Sequence, residues 1–205
     1  MLTVDKISVM NLENAVRGAR NPMNSWNRMD SAYDQAGNYI LGPNDLDLCR
    51  RLCAAGSDHR KFLRQIFVSM DITAPLYWWK EFDTYKVATV ANSTSTMHKV
   101  HSIPFDRSQF SLDGMTDGSL AVMDGLIAHL ETLRQRFLDT KEKEYWRDII
   151  QLLPSSYNQL RTCTLNYETL VTLHHARKNH KLTEWHTLCA AVEQLPYAKE
   201  LILHE

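Results

Sequence analysis

Residues 153–184 read LPSSYNQLRTCTLNYETLVTLHHARKNHKLTE. Apolar and polar side chains partly alternate from Tyr157 to Leu165, which predicts a strand that follows a break at Pro154. Asn166 comes next and is well placed to cap a helix that continues to Arg177. The segment therefore predicts a strand that leads directly into a helix, with Asn166 and Arg177 at the two ends of that helix.

Helix and strand patterns are interleaved along the rest of the chain. Apolar residues recur every three or four positions from Ser119 to Leu138, which predicts a long amphipathic helix. Ile66 to Ile72 has apolar side chains at every second position and predicts a buried strand. The other predicted elements are a strand at Asp5–Leu12, an irregular connection at Asn21–Asn44, and helices at Asn14–Arg20, Asp45–Ala55 capped by Asn44, Pro75–Lys86, Thr140–Leu152 and Leu182–Gln194. With no repeat or clear linker, this order predicts one α+β domain over residues 1–205.

The composition excludes several classes of partner. The 23 basic and 24 acidic residues give a net charge of -1, which is not the electrostatic footprint of a protein that binds DNA or RNA polymers. No apolar run approaches the roughly 20 residues that a membrane span needs, and no apolar leader follows Met1. The four cysteines form no CxxC pair, which suits a reducing compartment. We therefore expect a soluble, cytoplasmic protein.

Four blocks of the sequence, in order, resemble the flavin-dependent thymidylate synthase family and together cover most of the chain. The fourth block is the segment quoted above, where the step from Pro154 to Asn166 and the step from Asn166 to Arg177 agree with the family pattern. The other three blocks are Ala15–Arg20, Leu52–Gly56 followed by His59, and Ile66–Ile72 followed by Lys80–Thr89. The resemblance implies an α+β fold with a small, mainly antiparallel sheet packed with several long helices.

The same resemblance implies an activity and an assembly. The reaction is the reductive methylation of dUMP to dTMP, a methyltransferase reaction that needs no cysteine nucleophile. Reduced FAD delivers the hydride, methylenetetrahydrofolate supplies the one-carbon unit, and NADPH is a further co-substrate. The family builds each active site from several subunits, so the implied assembly is a homotetramer.

Site residues are carried over from the family by position. Arg177 would hold and polarise the pyrimidine, and Ser95 would touch the nucleotide phosphate. Among the flavin-side residues, His59 and Asn166 would face the cofactor. The remaining candidates are Lys80 for the substrate and Tyr85 and Lys86 for the cofactor. No metal ligand is implied.

The chain departs from the family at the signature itself. The family has Arg-Gln and then Arg-His-Arg where this chain has Lys80-Glu81 and then residues 84–86, Thr-Tyr-Lys. A lysine keeps the charge but loses the bidentate fork of arginine. Ile150 stands where the family has a phosphate-binding arginine, and Glu168 and Thr172 replace residues of the flavin helix. Each lost phosphate contact costs about 1.5–3 kcal/mol, so dUMP binding should be weak unless other cations substitute. The available substitutes are His98, Lys99 and His101.

Two further functions stay open from the sequence. The missing signature favours a non-catalytic, oligomeric ligand-sensing or interaction protein on the same scaffold. His180 and Glu184 would share one helical face, which is a spacing that metal ligands use, so a metal-dependent hydrolase is a third hypothesis. The spacing also leaves open whether Asn166 is simply a helix cap and Arg177 simply a cation that stabilises a helix C-terminus.

Overall fold

Helices and short strands alternate along residues 2–204, which the computed structural model describes. Besides the α-helices and strands, the chain has short 3-10 helices in its connections and a π-helical turn at Lys199–Leu203. The strands are β1 (Thr3–Met10), β2 (Ala32–Tyr33), β3 (Tyr39–Ile40), β4 (Phe67–Pro75), β5 (Val90–Ser93) and β6 (Asn158–Asn166). The helices are α1 (Leu12–Ala19), α2 (Pro43–Ala54), α3 (Leu76–Phe82), α4 (Asp117–Thr140), α5 (Lys143–Leu152), α6 (Tyr167–Arg177) and α7 (Thr183–Glu193).

The strands form two sheets. The larger sheet has four strands in the order β1-β4-β6-β5, and the smaller is the antiparallel pair of β2 and β3. In that pair Ala32 lies opposite Ile40, and Tyr33 lies opposite Tyr39. A small sheet in a largely helical chain confirms the predicted α+β class. Within the described residues, none of the helices combines the length and the apolarity needed to cross a bilayer.

The chain divides into two compact units. The α4 unit contains residues 2–3, 72–84 and 92–162, and therefore α3, α4 and α5. The α6 unit contains residues 4–71, 85–91 and 163–204, and therefore α1, α2, α6 and α7. The expectation of a single domain stays a prediction.

In the α4 unit, the long helix α4 packs its apolar stripe against α5. Met123, Ile127, Leu130 and Leu133 are buried on α4 and meet Ile149 of α5. The helix is longer than predicted at both ends, and Thr116 caps its start by accepting a hydrogen bond from Ser119 N. The loop that precedes α4 closes the same core with Val100, Phe105 and Phe110.

A carboxylate on α4 fixes that loop. Glu131 accepts two hydrogen bonds from the guanidinium of Arg134, at 2.7 Å each, and one from Phe105 N at 2.9 Å. The hydrogen bonds from Arg134, more than those from Gln135 and the backbone, lower the pKa of Glu131 to about 2. Because this pKa is depressed in the folded state, the stabilisation is present above the unfolded value and is lost as the pH falls towards 2.

We expect the free energy of unfolding to fall by about 1–2 kcal/mol through this group between pH 5 and pH 2, after allowing for solvent screening. The measurement is urea unfolding across that pH range for the wild type and for Glu131→Gln. The variant lacks the ionisation, so its curve should be flatter by that amount. Parallel curves would contradict the assignment.

In the α6 unit, the core contains buried residues of β4, β6, α6 and α7. Val68, Met70, Cys163 and Leu165 are buried on the strands. The helices contribute Leu170, Leu173, Trp185, Leu188 and Val192. The hydroxyl of the buried Tyr167, the first residue of α6, donates to Pro196 O at 2.7 Å, which secures the chain beyond α7.

A buried ion pair ties the long connection of this unit to α2. Arg20 is 4% exposed and Asp45 is 0% exposed, and Arg20 Nε donates to Asp45 Oδ1 at 2.6 Å. The other carboxylate oxygen accepts hydrogen bonds from Asp30 N and from the backbone and hydroxyl of Ser31. Burial acts to raise the pKa of Asp45, but the hydrogen bonds from Ser31 and Arg20 outweigh it and lower the pKa.

Several predicted boundaries were wrong. The cap of α2 is Gly42, not Asn44, because Pro43 takes the first helical position and a Cβ at Gly42 would collide with Asp30. The helix α3 ends at Phe82, four residues before Lys86. The connection at 21–44 contains the β2–β3 pair, α5 begins only at Lys143, and the π-helical turn after α7 was not predicted.

Candidate functional site

Asn166 is the last residue of β6 and the N-cap of α6, and both the oxygen and the nitrogen of its side-chain amide form hydrogen bonds. Its Oδ1 accepts a hydrogen bond from Thr169 N at 2.9 Å, and its Nδ2 donates to Arg64 O at 3.3 Å. The side chain is buried, at 3% exposure. These contacts confirm the predicted N-cap, whereas the role of Asn166 in binding a cofactor stays a prediction.

Arg177 ends α6 and lies against two aromatic rings. Its Nε donates to Tyr85 Oη at 2.8 Å, and its Cζ lies 4.7 Å from the ring centroid of Trp185 and 5.6 Å from that of Tyr85. The rings of Tyr85 and Trp185 meet edge to face, with centroids 5.9 Å apart. A guanidinium over an aromatic face gains cation–π energy, and the hydrogen bond fixes its plane. We call these three residues the Arg177 cluster.

The cluster joins two residues that were predicted separately, Arg177 for the substrate and Tyr85 for the cofactor. Trp185 was missed, because an aromatic side chain in an amphipathic helix is usually core, and Trp185 is indeed fully buried. The available signal was its place in the first turn of α7, a few residues after Arg177.

The segment that begins at Tyr85 is also held at the start of α6. Val87 O accepts a hydrogen bond from the hydroxyl of Thr169 at 3.2 Å. Lys86 therefore lies between two anchored residues, and its side chain is exposed. This arrangement holds residues 85–87 along α6 and leaves the Lys86 ammonium in contact with solvent.

The other predicted site residues lie elsewhere. Lys80 is exposed in the last turn of α3, and the Ser95 hydroxyl accepts hydrogen bonds from Met97 N at 3.2 Å and His98 N at 2.8 Å. Both belong to the α4 unit. His59 belongs to the α6 unit, is exposed, and lines a largely apolar cavity of about 760 Å³ to which no residue of the Arg177 cluster contributes.

Glu168, one of the departures from the family, is neutralised by an arginine that sequence reasoning did not single out. Arg60 grips the carboxylate through Nε and Nη2 at 3.0 Å, with side chains 18% and 17% exposed. Its Nη1 lies 3.2 Å from His204 Nε2. Burial first, and then the charge of Arg60, lower the pKa of His204.

His180 has a structural task that differs from metal binding. Its Nδ1 accepts a hydrogen bond from Leu182 N at 3.1 Å, and its backbone oxygen lies 2.8 Å from His186 Nε2. These contacts shape the turn before α7. Across residues 2–204, no three His, Cys, Asp or Glu side chains are grouped closely enough to hold a metal ion.

Comparisons with known proteins give no match in sequence but clear matches in structure. No protein-family model and no curated protein sequence matches the chain. Thymidylate synthase X from Helicobacter pylori with FAD and dUMP superposes with a TM-score of 0.71 at 17% identity, over 98% of this chain and 97% of that one. The fold is that of a flavin-dependent thymidylate synthase.

Two further structures support this thymidylate synthase fold. Another structure of the Helicobacter pylori enzyme with FAD and dUMP gives a TM-score of 0.69 at 17% identity, over 97% of this chain and 98% of that one. The UMP/dUMP methylase PolB from Streptomyces cacaoi, bound with 5-Br dUMP, gives 0.63 at 17% identity, over 100% of this chain and 93% of that one. The resemblance recognised in the sequence is thereby confirmed at the level of fold.

Proposed function

We propose that this chain is a diverged flavin-dependent thymidylate synthase that binds FAD and a dUMP-like pyrimidine nucleotide. Its reaction would be the reductive methylation of that nucleotide. The observation that carries the proposal is Arg177, which stands at the family position at the end of α6 and is oriented by Tyr85 and Trp185. The neighbours with this fold that were crystallised with FAD and dUMP support it.

The Arg177 cluster suits a pyrimidine ring. Arginine presents its N–H donors as a planar fork that matches paired acceptors such as carbonyl oxygens, and the hydrogen bond from Nε to Tyr85 sets the plane of this group. An arginine stays charged at every working pH. It can therefore orient the pyrimidine and stabilise the enolate form, in which a ring carbonyl oxygen carries negative charge and C5 is nucleophilic towards the one-carbon unit.

The other residues divide the remaining tasks. Lys80 and Ser95 would bind the nucleotide phosphate, where the exposed ammonium of Lys80 acts as a point charge. Tyr85, Lys86 and His59 would contact FAD. Asn166 would act mainly by fixing the start of α6, because its amide is already engaged at both ends.

The bound groups supply the transferred atoms. When bound, reduced FAD would provide the hydride and methylenetetrahydrofolate would provide the one-carbon unit, with NADPH as the reductant. The protein's contribution is then binding, orientation and electrostatics. We also propose a homotetramer in the cytoplasm, in which several subunits complete each site.

A second function is favoured by the two replaced positions on the flavin side. Tyr85 stands where the family signature has histidine, and its hydroxyl accepts a hydrogen bond from Arg177. The Glu168 carboxylate is paired with Arg60. Both side chains are engaged in contacts within the α6 unit. A non-catalytic oligomer that senses a nucleotide would not require either side chain to contact a flavin.

Titration of the purified protein with FAD and with dUMP, followed by complementation of a thymidine auxotroph, tests both functions. The synthase predicts saturable binding of each ligand and growth without thymidine. The sensor predicts dUMP binding by a stable oligomer with no growth. Absence of flavin and nucleotide binding in both the oxidised and the reduced protein would refute the synthase.

A further inference from the structure

A small cavity of the α6 unit lies at the start of α1. Its volume is about 430 Å³, within the range of about 300–1,000 Å³ that is usual for small-molecule sites. We call it the hairpin cavity, because the β2–β3 pair and its turn form one wall. The other walls come from the end of β1, the first turn of α1 and the segment after α7. The lining residues that decide its chemistry are Asn11, Glu13, Asn14, Tyr33, Asn38 and Tyr39.

The hairpin cavity is separate from the site of the proposed reaction. None of the residues assigned above to the flavin or the nucleotide lines it, and neither do Arg60, Glu168 and Thr172. The cavity that contains His59 is lined by the last turn of α1, whereas the hairpin cavity is lined by the first turn. A ligand in the hairpin cavity would therefore leave the Arg177 cluster and the flavin contacts untouched.

The turn between β2 and β3 is held by its own hydrogen bonds. Asp34 Oδ1 accepts hydrogen bonds from Ala36 N at 2.9 Å and from Asn38 N at 2.8 Å, and Asp34 N donates to Asn38 O at 2.9 Å. Tyr33 lies opposite Tyr39 in the strand pair, and their rings meet edge to face with centroids 5.1 Å apart. The hairpin therefore presents a preformed aromatic wall to the cavity.

The charge of the hairpin cavity is negative. Among the described residues, its lining has one charged side chain, that of Glu13. Glu13 Oε2 accepts a hydrogen bond from Tyr33 Oη at 2.7 Å, which ties the carboxylate to the hairpin. Within residues 2–204, no lysine, arginine or histidine lies within ion-pairing distance of Glu13. The positive end of the α1 dipole, equivalent to about half a charge, offsets only part of this carboxylate.

The uncharged groups of the lining also suit a cation. Asn14 Nδ2 donates to Asn11 Oδ1 at 2.7 Å, and Asn11 Nδ2 donates to Gln65 O at 2.9 Å. Asn14 Oδ1 accepts a hydrogen bond from Arg17, which is exposed and does not line the cavity. Each amide oxygen has a second lone pair with which it can accept a hydrogen bond from a ligand. The faces of the two tyrosine rings attract a cation as well.

We propose that the hairpin cavity binds an organic amine, whose ammonium group pairs with Glu13 and packs against the rings of Tyr33 and Tyr39. An ammonium group has three N–H donors, and the lining offers carboxylate, amide and phenol oxygens to accept them. The aromatic wall favours an organic cation over a metal ion, and within residues 2–204 no three His, Cys, Asp or Glu side chains are grouped to hold one. The site goes beyond the proposed function and shares no residue with it.

Calorimetric titration with putrescine, a diamine, and with butanediol, its uncharged analogue of the same chain length, tests the proposal. The two probes differ in charge but not in reach, so the difference in affinity measures recognition of the ammonium group. We expect saturable binding of putrescine, with an affinity at least about tenfold higher than that of butanediol. No saturable binding of putrescine by the wild type, or equal affinities for the two probes, would overturn the proposal.

Single substitutions locate the bound amine. Glu13→Gln keeps the shape of the side chain but removes its charge, and should weaken putrescine binding about tenfold. The matched control is Glu144→Gln, which alters an exposed glutamate in the first turn of another helix, outside the cavity, and should change the affinity less than about twofold. Tyr33→Leu removes an exposed ring and should weaken binding about threefold. Equal losses in the two glutamate variants would contradict the assignment.

Thermal melting distinguishes loss of the site from loss of the fold. Without a ligand, Glu13→Gln should melt close to the wild type, because the side chain is exposed. Putrescine should raise the melting temperature of the wild type more than that of Glu13→Gln, and an equal rise in both would count against the site. Arg177→Ala should leave the affinity for putrescine unchanged, and Glu13→Gln should leave that for dUMP unchanged. The amine site and the proposed reaction can therefore fail separately.

Discussion

Replacing Asp45 by alanine is expected to lower the free energy of unfolding by about 3–5 kcal/mol. The carboxylate is fully buried and compensates a guanidinium that is 4% exposed. Its loss would leave the charge of Arg20 buried without a counter-ion. Within residues 2–204, Arg20 Nη2 already has no hydrogen-bond partner, so little else can compensate the group.

The same helix offers a matched control two residues later. Asp47 pairs with Arg51 at 2.9 Å, but their side chains are 66% and 68% exposed. Asp47→Ala should cost less than about 1 kcal/mol, because water screens the pair. The measurement is urea unfolding of both variants at pH 7. Equal losses would show that burial does not set the strength of the Arg20–Asp45 pair.

Replacing Arg177 by alanine is expected to weaken dUMP binding about 100-fold. A charged hydrogen-bond donor contributes about 1.5–3 kcal/mol, and the fork provides it at a fixed angle. The measurement is calorimetric titration with dUMP in the presence of FAD. Arg51→Ala serves as the control, since it also removes a helical arginine but lies on α2.

Arg177→Lys separates charge from geometry. Lysine keeps the positive charge but has neither the planar fork nor the Nε that donates to Tyr85. Its dUMP affinity should therefore fall between those of the wild type and the alanine variant. An affinity for Arg177→Ala equal to that of Arg51→Ala would show that Arg177 has only a structural role at the end of α6.

The elements with a strong period were predictable. The apolar stripe of α4 gave a helix only two residues short at each end, and the Asn166 cap placed the start of α6 correctly. Helix boundaries that depend on single residues could not be predicted from the spacing of apolar side chains. Gly42 rather than Asn44 caps α2, because Asp30 leaves no room for a side chain at position 42, and Asp30 lies 12 residues earlier in the chain.

Members of the Arg177 cluster could be singled out from the sequence only where a position could be compared with a family, and their role in binding stays a prediction. Arg177 and Tyr85 came from that comparison, and the structure shows them in contact. Arg60 carries no local signal of its role, and the signal for Trp185 is only its place in the first turn of α7. Arg60 reaches a carboxylate 108 residues away, and such a pair depends on how α6 packs against the turn at 60–65. Pairing at that range is decided by tertiary structure.

The bidentate contact between Arg60 and Glu168 also limits how the first half of α6 could be re-engineered. A basic residue introduced at position 168 alone would set two cations face to face in a partly buried site, where like charges repel strongly. Charge reversal at Arg60 alone would do the same with two anions. The two positions are therefore exchangeable only as a pair, and a more cationic α6 at position 168 requires a double substitution.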